Sequence, residues 1–204
     1  MRCGGANPRI ESLTMKRYRE LFAFPQVISL GIAAFPARVA YGMIGLGIFF
    51  KAEQETGSVA IAGFAIGLNS LAGSLTAGIR GSVMDRWGQK WVIRILVPAY
   101  SALILTLNTM ETSRSILITA FILGITAPPI NLSVRPLWKD LVPDSYLRTA
   151  YAFDSAMMSS TSVIGPVIVT SLALSSRPSL ALDVVAAFMF IGGIGLALTP
   201  VSRN

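Results

Sequence analysis

Six apolar runs constrain this chain more than anything else in its sequence: Val27–Phe50, Val59–Ile79, Trp91–Met110, Ile116–Trp138, Ala150–Leu174 and Leu180–Leu198. A helix of about 20 residues crosses about 30 Å of hydrocarbon. Lipid offers no partner to a free backbone amide, so such runs cross as helices, which satisfy their own N–H and C=O groups. The sequence therefore predicts an all-α membrane protein with six transmembrane helices. The fourth run contains Pro128, Pro129 and Pro136, and each proline removes a backbone donor, so a kink is expected there. The connectors are short and polar, with no low-complexity linker or repeat. The expected organisation is a basic tail over 1–26, one six-helix bundle over 27–199 and a short end over 200–204. The first run is too long for a cleaved signal sequence.

Composition supports this and removes several function classes. Hydrophobic residues make up 53% of the chain and charged residues 13%, with a mean hydropathy of +0.64; soluble domains are nearer a quarter charged. The net charge is +7, but the cations lie between apolar runs rather than along one stripe. The expected partner is a lipid bilayer and not nucleic acid. With no histidine and only Cys3, the chain lacks the means for an internal disulfide, a zinc cluster or histidine-based catalysis. No enzyme activity, cofactor or metal is expected.

The cations also set an orientation. With six spans both ends share a side, which collects thirteen cations from the termini, the 80–94 hairpin and the 135–148 stretch. The other side has only Lys51, Arg114 and Arg177. Cations collect on the cytoplasmic face, so both termini are expected there, in a multi-pass protein of a bacterial plasma membrane. Trp87, Trp91 and Trp138 fall at the same predicted boundary, where indole rings gather.

The turn between the second and third runs reads "GSVMDRWGQK". Its Gly81-x-x-x-Asp85-Arg86-x-Gly88-x-Lys90 spacing resembles the signature loop of the major facilitator superfamily, G-x-x-x-D-R-x-G-R-K, at the same place between two helices. Gln89 stands where the family carries arginine, with Lys90 beside it to substitute. Physically, Gly88 permits positive φ in a tight return, Gly81 permits a close helix approach, and Asp85 can pair with Arg80, Arg86 or Lys90. Further on, "SVIGPVIVT" resembles the fifth-helix motif of drug/proton antiporters, with Gly165 and Pro166 matching and suggesting a kink. The resemblance covers the whole chain but half of that family's fold, which has twelve helices in two six-helix halves. It implies the N-terminal half of a secondary active transporter working by alternating access. Uptake, efflux and proton coupling all stay open, as does a second half or a homodimer partner. The alternative is a truncated, non-transporting membrane protein or scaffold. The substrate is a small molecule whose identity cannot be read from the sequence.

Charge inside a membrane costs about 2.5–3.5 kcal/mol on insertion scales, so each instance needs a reason. Arg38 lies near the middle of the first run, and Asp154 a few residues into the fifth. The two are at similar depth on helices running the same way, which makes them candidates for an ion pair and for substrate or proton contact. Arg135 is the alternative partner for Asp154, as a structural latch. Asp183 sits in a first helical turn, where the helix dipole favours an anion. Asn69 and Ser70 are polar groups in mid-run that need a partner or a cavity, and they are candidates for substrate contact. Gly63 and Gly67 form a G-x-x-x-G, with further glycines in the first and sixth runs; these read as close helix packing.

Overall fold

The computed structural model describes residues 16–175 and 177–199. The expected tail as far as residue 15, and the expected end over 200–204, lie outside the described residues. Among the described residues, seven helices follow the short helical segment over 16–21: α1 (Pro25–Thr56), α2 (Val59–Trp87), α3 (Gln89–Asn108), α4 (Ser113–Thr126), α5 (Ile130–Leu141), α6 (Asp144–Ala173) and α7 (Leu180–Leu198). Five of them, α1, α2, α3, α6 and α7, are long and apolar enough to cross a membrane.

The kink expected in the fourth run is a complete break in the helix. Ile116–Trp138 is not one helix but two, divided at Ala127, Pro128 and Pro129. Two adjacent prolines supply no N–H to the carbonyls of the preceding turn, so the helical ladder stops. The second piece, α5, is amphipathic: Ile130, Val134, Leu137 and Trp138 are buried, while Asn131, Arg135 and Lys139 are exposed. The apolar tally over 130–138 came from this buried stripe. Pro136 sits inside α5 without ending it.

α1 forms the middle of the bundle, packed against α2, α6 and α7, while α3 lies on α7 and α2 on α4. Small residues allow the closest crossings, as lipid-embedded helices require. A Cβ on Gly42 would lie 2.6 Å from the Thr161 carbonyl oxygen, and one on Gly165 would lie 2.8 Å from the Gly42 carbonyl carbon. These two glycines thus let the α1 and α6 backbones touch. Gly63 and Gly67 do not pack in this way, because nothing described lies within 4 Å of a Cβ at either position. Their face of α2 is open, and Phe64, Leu71, Leu75 and Ile79 are more than half exposed along that helix.

The helix ends follow their local chemistry. Gly57 closes α1 at φ 63°, and its N–H donates to the Glu53 carbonyl. The Ser58 hydroxyl accepts from the Ile61 N–H at the start of α2, and Thr112 caps α4 by accepting from Ser115. Before α1, residues 16–21 are helical, with Leu21 buried. Glu20 accepts a 2.9 Å hydrogen bond from the Tyr146 hydroxyl, and Phe22 meets Phe153 edge-on at 5.1 Å. Trp138 is fully buried against Phe153, whereas Trp87 and Trp91 are exposed.

Candidate functional site

Arg38 on α1 and Asp154 on α6 are both 3% exposed, with Nη2 of one 2.8 Å from Oδ1 of the other. The α1–α6 crossing at Gly42 and Gly165 brings the two helices close enough for this contact. The atoms are near but poorly aligned, so the contact is an ion pair rather than a directed hydrogen bond, and Arg38 Nε has no hydrogen-bond partner among the described residues. Arg135 does not take the latch role. Its guanidinium lies 5.7 Å from the centre of the Tyr151 ring, and among the described residues Asp154 pairs with Arg38.

The broken fourth segment forms a second polar centre. The last carbonyls of α4 have no helical donors, and side chains from two other helices supply them. Arg80 Nη1 donates to the Gly124 and Ala127 carbonyls, and its Nη2 donates to Gly73 at 2.6 Å. The Tyr41 hydroxyl donates to the Pro128 carbonyl, and Asn69 Nδ2 donates to Ala120 at 3.0 Å. Tyr41 and Tyr100 stack with ring centres 6.4 Å apart. A cavity of about 450 Å³ opens between these groups, with Asn69, Ser70, Arg80 and Asn131 in its wall. A further cavity of about 480 Å³ has Asn131, Arg135, Lys139, Tyr151 and Asp154 in its wall. Asn131 borders both.

The α2–α3 hairpin is one residue long. Gly88 has φ 82°, and its N–H donates to the Met84 carbonyl at 3.0 Å. Gly81 is inside α2 with open space around it, so no described helix uses it for close approach. Asp85 and Arg86 are exposed and Lys90 is half-buried. The expected pairing of Asp85 is absent among the described residues, because Arg80 turns into the bundle and neither Arg86 nor Lys90 comes within ion-pair distance. Gln89 fastens the hairpin to α5 instead, donating to the Ser133 carbonyl at 3.1 Å.

These features occur in a chain whose residues 30–203 match the family model of the Major Facilitator Superfamily. The chain belongs to the major facilitator superfamily. Members of this superfamily are transporters. Over 191 residues the chain is 28% identical to an uncharacterized MFS-type transporter, y4rN, of Sinorhizobium fredii (strain NBRC 101917 / NGR234). That match covers 91% of this chain and 47% of the relative, so the chain spans about half the length of the curated relative. No solved structure matches it.

Within this superfamily chain, the Gly165–Pro166 pair lies inside a continuous α6, where Gly165 acts through close packing. Asp183 accepts from Asn108 at 2.9 Å in the first turn of α7. Sequence reasoning missed Arg80, assigned to the cytoplasmic loop, and passed over Tyr41 and Tyr100. A signal for Arg80 existed. It follows Asn69 by eleven residues, about three helical turns, so both lie on one face of α2.

Proposed function

We propose that this chain is the N-terminal half of a secondary active transporter, working by alternating access with a proton as coupling ion. The observation that carries this reading is the family match over residues 30–203 together with coverage of about half of a full-length relative. In this reading α4 and α5 together make the fourth of six crossings, residues 1–26 and 200–204 are cytoplasmic, and the membrane is a bacterial plasma membrane. A second six-helix half or a second copy completes the carrier. Asp154 is the residue proposed to take up the proton: among the described residues it is the one carboxylate bordering either polar cavity. Arg38 holds it in place and is released from pairing when it protonates. Gly81, Asp85, Arg86, Gly88 and Lys90 are proposed to gate the cytoplasmic side, where the hairpin and α5 move together through Gln89.

The test is reconstitution into liposomes carrying an internal pH indicator, with solutes added outside. Solute-dependent proton movement that disappears in Asp154→Asn supports the reading. Correctly inserted protein that moves no solute, alone or with a second half supplied, favours the alternative of a non-transporting membrane protein. Orientation is tested in a Cys3→Ser background. Gln54→Cys should react with an impermeant thiol reagent from outside, and Arg86→Cys only after permeabilisation. The reverse pattern overturns the assignment of sides.

A further inference from the structure

We infer that the ligand of the two polar cavities is a small organic anion, a carboxylate or phosphate ester carrying a flat apolar body. This inference rests on the transporter reading and names its substrate class. Charge is the first argument. Arg80 borders one cavity, and Arg135 and Lys139 border the other. Among the described residues the facing carboxylate is Asp154, already engaged by Arg38. Arg80 is held by three carbonyl oxygens and by no acid. Carbonyl dipoles engage its Nη1 and Nη2 without cancelling its charge, its buried Nε has no partner among the described residues, and a cation in a low-dielectric wall attracts an anion strongly.

The helix break adds to this field. α5 starts at Ile130, between the two cavities, and the N-terminal end of a helix carries partial positive charge. Asn131, in the first turn, borders both cavities. Their volumes, about 450 and 480 Å³, are those of small-molecule sites. Tyr41, Tyr100 and Pro128 also line the first cavity, and Tyr151 and Met158 the second. Such walls suit a ring or another apolar body attached to the charged group. An organic cation would meet Arg80 in one cavity, or Arg135 and Lys139 beside an occupied carboxylate in the other.

The experiment uses the purified full chain in lipid nanodiscs. Thermal unfolding is followed against benzoate, phenyl phosphate and benzylammonium, which share a ring and differ in charge. Benzoate or phenyl phosphate should raise the unfolding temperature saturably, while benzylammonium should not. Arg135→Gln and Lys139→Gln alter exposed side chains, and each should weaken the anion's apparent Kd about tenfold through loss of a charge-assisted contact. Arg135→Lys should recover part of that loss. Saturable stabilisation by benzylammonium, no saturable stabilisation by either anion, or unchanged anion affinity in both glutamine variants overturns the inference. Anion binding without flux in liposomes removes the transport reading and leaves the anion site standing. Flux restricted to cations does the reverse.

Discussion

Arg38 and Asp154 close a 2.8 Å ion pair between α1 and α6, with both residues almost wholly buried. Removing one partner strands the other charge, at a cost of about 3–5 kcal/mol. Arg38→Ala and Asp154→Ala should therefore each lower stability by about that much, and the double variant should lose less than the sum. Chemical denaturation in detergent supplies the cycle. Simple additivity would show that the two side chains do not interact.

Gly165 and Gly42 predict a sharp contrast with the other glycine pair. Gly165→Ala would place a methyl group against the α1 backbone and Gly42→Ala one against the α6 backbone, and overpacking of this kind costs about 1–3 kcal/mol. Gly63→Ala and Gly67→Ala meet nothing described within 4 Å, so they should be neutral or slightly stabilising through helix propensity. Unfolding midpoints of the four variants check this. Equal losses at all four positions would contradict the packing described.

Arg80 closes the end of α4 through the Gly124 and Ala127 carbonyls. An orphaned carbonyl costs about 1–3 kcal/mol, so Arg80→Gln should destabilise the chain by about 2–4 kcal/mol. Arg80→Lys should restore little, because a single ammonium cannot reproduce the planar fork that spans Gly73, Gly124 and Ala127. Amide exchange over residues 120–130 should rise in both variants. Unchanged protection there would remove Arg80 as the cap.

Asp85 is exposed and unpaired among the described residues, so Asp85→Asn should leave stability within about 0.5 kcal/mol. If the hairpin gates, the same variant should slow transport in a complete carrier while ligand affinity stays nearly constant. Loss of binding in correctly inserted protein would place Asp85 in a binding role instead.

The sequence alone determined that the chain is a helical membrane protein, because run length and hydropathy are local properties that lipid reads directly. It also put two charges at similar depth inside the apolar runs and a tight return within residues 81–90; the structure carries the helix on to Trp87 and leaves only Gly88 in the turn, where glycine adopts φ 82° at little cost. The division of the fourth segment was half legible. The three prolines announced a disturbance, but a hydropathy tally does not distinguish a kinked span from a short helix followed by an amphipathic one. Tertiary structure decided the rest. Asp154 chose Arg38 over Arg135 because α1 and α6 cross at two glycines. Gly63 and Gly67, equally glycine-rich in sequence, face outward. Arg80 turned inward because broken-helix carbonyls lay on its face of α2, and Trp138 went to the core with the buried stripe of α5. Each outcome depends on which helix lies opposite, and one helix's composition does not specify its neighbour.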